Sequence, residues 1–265
     1  MLIQGIEDRI RNLKGNIGIY YHDINTDKYF STGNTDIFLA AGIIKIPILI
    51  EAFHQIDKGI ISKNDIVKIK NEDKIPSCGA LSYLHNDIEV TIEDMCNLMV
   101  IISDNTATNI LIKLLGMDNI NKRMQELGYK NTVINRLLFD EAAIQQKYEN
   151  YYSLREVADM MYKIYKRQLI SEKASIEMEK IMIEQQRNQI IPYYFDETIK
   201  VAHKTGEDNN IIHDIGIVLS DNPFILCMGA NNVDVRKAES AMRDIALICY
   251  NSSNQNTDNH FKSSI

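Results

Sequence analysis

The sequence predicts an α/β (α+β) fold, in which an antiparallel sheet flanked by helices is interrupted by an inserted all-helical lobe. Three observations predict it. Strand-like runs lie near the two ends of the 265-residue chain, apolar residues recur at helical spacing between them, and turn residues separate neighbouring strands as in hairpins. A chain of this length can bury a large core, as one big domain or as two closely packed lobes.

The elements follow in order. Ile3, Ile6, Ile10 and Leu13 share a helical face until Gly15-Asn16 breaks the run. Ile17 to His22 reads as a strand, Asn25-Thr26-Asp27 as a turn, and Lys28 to Ser31 as the return strand. Thr91 caps a helix whose first turn carries Glu93 and Asp94 near the positive end of its dipole; Met95, Leu98, Met99 and Ile102 continue its apolar face. Thr106 to Leu115 is a helix stopped by Gly116, and Asp118 to Leu127 another stopped by Gly128. Leu154 to Tyr165 and Ser171 to Gln185 are further helices. Ile211 to Val218 and Pro223 to Gly229 are strands around Ser220-Asp221-Asn222, and Asp234 to Tyr250 is a closing amphipathic helix. Residues 1–38 and 186–250 are therefore assigned to a discontinuous sheet-and-helix lobe, 39–185 to the helical lobe, and the polar stretch 251–265 to a disordered tail. A split of this kind leaves a cleft where the lobes meet, a favoured place for a small-molecule site.

Composition narrows the class of partner. Lys plus Arg number 29 against 36 Asp plus Glu, a net charge of −7, and the signs are mixed along the chain. Nucleic acid and anionic membrane both demand a basic footprint, so neither is an expected partner. The apolar run Ile43 to Ile50 is broken by Lys45 and Pro47 and is far shorter than the ~20 residues a spanning helix needs. The amino terminus carries Glu7, Asp8, Arg9, Arg11 and Lys14 and no apolar leader. The expectation is a cytoplasmic protein, or a secreted or periplasmic one whose signal has been removed. Cys78, Cys96, Cys227 and Cys249 are widely spaced, which favours free thiols over a disulfide framework, and Cys78, beside Gly79, is the one candidate reactive thiol. The six histidines have no metal-binding rhythm, so neither metal nor cofactor is expected.

Three short segments carry the chemistry: Gly42-Ile43-Ile44-Lys45, Ser103-Asp104-Asn105 and Lys204-Thr205-Gly206. Residues 42 and 45 are three apart and so share a helical face. Taken singly, each segment has an ordinary reading: a lysine lying along apolar surface, a helix cap, a turn. Together and in order they resemble the class A β-lactamases and their penicillin-binding relatives, whose signature is S-x-x-K, S-D-N, K-T-G. The second and third motifs are intact and the first reads G-x-x-K. The resemblance runs from the strand near Ile17 through the final helix.

The resemblance implies a monomeric serine hydrolase acting on a small β-lactam or related acyl amide through an acyl-enzyme. In the implied site Lys45 helps to deprotonate the nucleophile and Ser103 relays a proton to the leaving nitrogen. Asn105 binds the substrate amide and holds Lys45. Lys204 and Thr205, followed by Gly206, bind the carboxylate, and the main-chain N–H groups of Gly42 and Glu207 form the oxyanion hole. Gly42 stands at the nucleophile position, so the chain is expected to bind its substrate far better than it turns it over. Glycine in a helix costs roughly 0.5–1 kcal/mol relative to alanine. Nothing in the sequence demands it at 42, which leaves either a deliberate substitution or a natural non-catalytic relative. A water in place of the missing hydroxyl would permit slow direct hydrolysis.

The family's deacylating glutamate belongs to a loop of pattern R-x-E-x-x-L-N. Counting from Arg136 puts Leu138 at the glutamate position and Ala142 at the asparagine position. Asp140 or Glu141 could substitute, with Glu141 the better candidate, against the plainer reading of an exposed surface acid. Asn150 to Ser153 is expected to close this loop against Arg136. His213-Asp214 reads as a fold-supporting polar pair near the third motif, and Ser77-Cys78-Gly79 as an edge of the cleft. Two other functions stay open: a ligand-binding sensory pseudoenzyme, and a penicillin-binding, D-alanyl-D-alanine peptidase-like protein with slow deacylation.

Overall fold

The computed structural model describes residues 2–262. Its elements are α1 (Leu2–Ile10), β1 (Asn16–Asp23), β2 (Lys28–Gly33), β3 (Ile37–Leu39), a 3-10 turn (Ala41–Ile44), α2 (Lys45–Asp57), β4 (Ile66–Ile69), β5 (Ile88–Thr91), α3 (Ile92–Ile101) and α4 (Asn105–Leu115). There follow α5 (Met117–Glu126), α6 (Glu141–Gln145), β6 (Tyr151–Ser153), α7 (Leu154–Tyr165), α8 (Glu172–Ile183), β7 (Lys200–Asp208), β8 (Ile211–Leu219), β9 (Phe224–Asn231) and α9 (Val235–Lys262).

Five strands form one antiparallel sheet in the order β2-β1-β9-β8-β7. Both of its faces are covered, and the two-residue period of a strand shows how. Along β9, Phe224, Leu226, Met228 and Ala230 face one core with Ile245 and Met242 of α9 and Ile6 of α1. The alternate residues Ile225 and Cys227 face the other core, with Val157 and Met161 of α7. The mixed fold with an antiparallel sheet is the one the sequence predicts.

α2 is the central helix of the second core. Ile46, Ile48, Leu49, Ile50 and Ala52 are all buried, so the helix is apolar nearly all round. Its first residue is Lys45, and Pro47 sits in the first turn, where an N–H has no intrahelical acceptor to lose. Helix ends fall where the turn chemistry puts them: α4 stops at Gly116 (φ 85°), and Thr91 accepts the Asp94 N–H at 3.0 Å to cap α3.

Several features differ from expectation. The small pairs β3–β6 and β4–β5 are too short to show a period in sequence. Lys204-Thr205-Gly206 lies inside β7 rather than in a turn. α9 does not end at Tyr250 but continues to Lys262, with Ser253 buried and its hydroxyl bonded to the Tyr250 carbonyl, so the expected disordered tail is helical that far; residues 263–265 lie outside the described residues. The four cysteines are free, and Cys78 is less buried than the other three. Among the described residues no helix is long and apolar enough to cross a membrane.

Candidate active site

Two tight joints deliver the first two motifs to one place. The chain leaves β3, turns through Ala41 at φ +41°, and enters α2 with Lys45 pointing into the interior. α3 ends at Ile101, and Ser103, at φ +60°, reverses the chain into α4. A left-handed backbone at a non-glycine residue is strained, and persists only where the surroundings fix it. At the second joint Asp104 does the fixing. Its carboxylate accepts N–H groups from Ala107 at 2.9 Å, Ala80 at 2.7 Å and Leu81 at 2.9 Å, tying the start of α4 to the 77–81 loop.

Lys45 Nζ lies 2.9 Å from the Ser103 carbonyl, 2.8 Å from Ser103 Oγ and 3.1 Å from Asn105 Oδ1. Lys204 Nζ reaches the same hydroxyl at 3.2 Å and donates to the Thr205 carbonyl at 2.7 Å. Neither amine touches a carboxylate, and both are buried. Burial therefore pushes the Lys45 ammonium down to about 7, opposed by the nearby Cys78 and Asp104 and assisted by Arg187. Lys204 is held well below its ordinary value, first by burial and then by repulsion from Lys45 and Arg187. Near neutral pH Lys45 is thus a mixture of ammonium and free amine, and the amine form can accept a hydrogen bond from the Ser103 hydroxyl.

These groups border a cavity of about 270 Å³ whose wall includes Gly42, Lys45, Ser103, Asn105, Arg187 and Glu207. Ser77 and Cys78 form part of its edge, and the Cys78 carbonyl accepts the Asn105 N–H at 3.0 Å. Lys204 and Thr205, at 0% and 1% exposure, lie behind the wall rather than in it, and Gly206 does not line it either. The cation presented to the cavity on that side is Arg187, which pairs with Glu207 at 3.4 Å. Sequence reasoning missed Arg187 because a lone arginine after Gln185-Gln186 belongs to no motif.

Glycine at 42 has a local reason that the sequence did not reveal. A Cβ there would fall 2.5 Å from the Thr205 carbonyl oxygen, 3.2 Å from Gly206 Cα and 3.4 Å from Ser103 Oγ. β7 has closed against the 3-10 turn, and its main chain fills the space of a side chain. The expectation that nothing requires glycine at this position is corrected by that approach.

His213 and Asp214 do not act as a pair. His213 Nε2 donates to the Leu39 carbonyl at 2.9 Å while its Nδ1 accepts the Ala230 N–H at 3.1 Å, so the ring is neutral, and burial lowers it to about 4. It fastens the strand leading to Gly42 onto the sheet. Asp214 instead bonds the buried His203 ring at 2.8 Å and accepts the Ile191 N–H at 3.0 Å; His203 Nε2 in turn meets Asn188 Oδ1 at 3.0 Å. That chain of contacts anchors the segment carrying Arg187.

The opposite side of the cavity is the 135–150 loop. Asn109, one helical turn beyond Asn105 on α4, brackets Leu138: its side chain accepts the Leu138 N–H and donates to the Leu138 carbonyl, both at 2.9 Å. Leu138 therefore faces the cavity. Asp140 is engaged in capping α6 through the Ala143 N–H at 3.0 Å, and Glu141, next in line, is exposed and outside the cavity wall. The acid that does line the cavity on this side is Glu149, held by Arg136 Nη2 at 2.7 Å and Nε at 3.0 Å. Asn150 completes the closure, accepting the Arg136 N–H at 3.0 Å and donating to its carbonyl at 3.1 Å.

Comparison with known proteins agrees with this architecture. A profile of the beta-lactamase enzyme family matches residues 1–253. Beta-lactamase VEB-1 of Pseudomonas aeruginosa is 27% identical over 93% of this chain and 88% of its own length. Among solved structures, a beta-lactamase from Sphaerobacter thermophilus superposes with a TM-score of 0.87 at 25% identity, covering 96% of both chains. PBP-A superposes with a TM-score of 0.86 at 27% identity, again over 96% of both, and a mutant of PBP-A has been solved as an acyl-enzyme complex with penicillin G. With a match that spans nearly its whole length, the chain belongs to the beta-lactamase enzyme family.

Proposed function

We propose that the chain binds β-lactams, or related acyl amides bearing a carboxylate, in the cavity beside Lys45, and that Gly42 occupies the family's nucleophile position. The observation that carries this reading is the convergence of three sequence-distant groups. Lys45 Nζ and Lys204 Nζ lie 2.8 and 3.2 Å from one hydroxyl, Ser103 Oγ, on the border of a cavity that Gly42 also lines. An amine beside a hydroxyl supports proton transfer to and from an acyl substrate, and the cationic Arg187 side favours a carboxylate. With no side chain at 42, no acyl-enzyme forms there and turnover by that route is lost. In this reading Lys45, Ser103 and Asn105 handle the reacting amide, while Lys204, Thr205, Gly206 and the Glu207 N–H face the carboxylate and acyl oxygen once β7 yields to the ligand.

A second reading, the penicillin-binding kind with slow deacylation, is favoured by Leu138. An apolar side chain, clamped by Asn109, stands where the family pattern calls for the water-activating glutamate, and Glu141 is turned away. The two readings share the binding step and differ in the fate of the bound ligand. Thermal unfolding with increasing benzylpenicillin tests the shared step: the midpoint should rise with ligand concentration as mass action requires. A chromogenic cephalosporin should be opened at most stoichiometrically. An unfolding midpoint indifferent to millimolar penicillin would remove the binding reading, and sustained multiple turnover would remove the claim that the site is disabled.

A further inference from the structure

The structure retains a hydroxyl next to the place where residue 42 has none. A Cβ built on Gly42 has Ser103 Oγ as its nearest hydroxyl, at 3.4 Å. That oxygen is the meeting point of two buried amines, Lys45 Nζ at 2.8 Å and Lys204 Nζ at 3.2 Å. Ser103 lines the cavity and holds a left-handed backbone, φ +60°, at a joint fixed from both sides: the Asp104 N–H bonds the Leu98 carbonyl at 3.0 Å, and the Asn105 N–H bonds the Cys78 carbonyl at 3.0 Å. Serine is a weak nucleophile on its own and becomes a competent one when a base within hydrogen-bond reach takes its proton. Ser103 has such a base, held at the start of the buried helix α2.

Resting on the binding reading above, we propose that Ser103 is a covalent nucleophile of this chain, taking the acyl group of a bound β-lactam onto its own oxygen with Lys45 as the base. In that step the Ser103 Oγ–H bond breaks and its proton passes to Lys45 Nζ. The Oγ–C bond to the lactam carbonyl carbon forms, and the lactam C–N bond breaks. The ring nitrogen receives a proton from Lys45, directly or through Lys204, which returns both amines to their starting state. The net change is addition of one intact β-lactam to one serine, with no oxidant, reductant or further reactant. Because Leu138 offers no carboxylate to activate water, and the acid of that wall, Glu149, is held by Arg136, the ester persists.

Intact-protein mass spectrometry after benzylpenicillin treatment, followed by peptide mapping, tests the proposal on the unaltered chain. The expected result is a gain of one intact penicillin, mapped to Ser103 in the peptide between Lys74 and Lys113, and lost in Ser103→Ala. The adduct should survive in Cys78→Ala, which removes the competing thiol at the cavity edge. An adduct mapped to Cys78, Lys45 or any other residue overturns the assignment. So does the absence of any adduct. Absence of an adduct together with a ligand-dependent unfolding midpoint sinks the nucleophile alone; absence of both sinks the binding reading with it. Should Ser103→Ala fail to fold, the mapped residue in the unaltered chain still decides.

Discussion

The two sides of the cavity are built to different standards. On the side of α2, Ser103 and β7, the buried ionisable groups are engaged at the site itself: Lys45 makes three contacts, Lys204 two, and Asp104 gathers three N–H groups. On the side of the 135–150 loop, the acids serve the loop. Asp140 caps α6, and Glu149, which lines the cavity beside Leu138, is tied to Arg136. Acyl transfer needs a base beside a hydroxyl; hydrolysis of the resulting ester needs a second base that holds a water. The two requirements fall on opposite walls, so a chain can keep the geometry of one and lose the other. This chain keeps an amine beside a hydroxyl, Lys45 Nζ at 2.8 Å from Ser103 Oγ.

Acid should weaken the side of the cavity that His213 fastens. His213 is lowered by burial to about 4 from an ordinary 6.5, and is neutral in the fold. Between those values the unfolded chain takes up a proton that the folded chain refuses, so stability falls as pH drops from 6.5 and the loss is complete below 4. At about 1.4 kcal/mol per pH unit the shift corresponds to a loss of about 3 kcal/mol. Urea unfolding at a series of pH values should show that decline, and His213→Gln, which can still donate to the Leu39 carbonyl and accept from the Ala230 N–H, should flatten it. An unchanged slope in the variant would relieve His213 of its part in holding the wall.

A hydroxyl placed at residue 42 sharpens the contrast at a smaller cost. Gly42→Ser places a Cβ 2.5 Å from a main-chain oxygen of β7, so the strand must retreat. Overpacking of this sort typically costs about 1–3 kcal/mol, read as a lower urea midpoint. The variant should nevertheless acylate faster than the unaltered chain, because a hydroxyl then stands at residue 42, which lines the same cavity as Lys45 and Ser103. Adding Leu138→Glu should shorten the lifetime of that adduct tenfold or more, judged by recovery of unlabelled mass. If the double variant holds its adduct as long as Gly42→Ser alone, the loop lacks more than a carboxylate.

Much of this was legible in the sequence, for reasons that differ from residue to residue. Lys45, Ser103 and Lys204 stand in short local patterns, and the hairpin turns and the Gly116 and Gly128 stops are equally local. The approach of β7 to Gly42 was not legible, since it depends on how two segments more than 160 residues apart pack to within tenths of an ångström. Arg187 was hidden because the His203–Asp214 contact that anchors its segment joins two strands and leaves no spacing rule behind. Asn109 carried a signal that went unused: four residues after Asn105, it lies on the same face of α4 and so reaches the loop that borders the cavity. The helical stretch past Tyr250 is polar by composition, and composition alone speaks only for the absence of a core, not for the conformation.

The smallest predicted effect bears on Glu141, the acid the sequence offers as a substitute for the missing deacylating glutamate. Counting along a loop fixes how far a residue is from Arg136, not which way it faces. Here Asp140 caps α6, and the cap sets the direction in which the helix leaves the loop. Glu141, at the first position of α6, is carried to the solvent side. Its carboxylate adds only a favourable charge at the helix start, an interaction typically worth about 0.3–1 kcal/mol when exposed. Glu141→Gln should therefore lower stability by about half a kcal/mol or less and leave the lifetime of a penicillin adduct unchanged, whether the adduct sits on the unaltered chain or on Gly42→Ser. A longer-lived adduct in that variant would mean that the loop swings during the reaction and brings Glu141 over the ester, and the division of labour between the two walls would then describe only the resting protein.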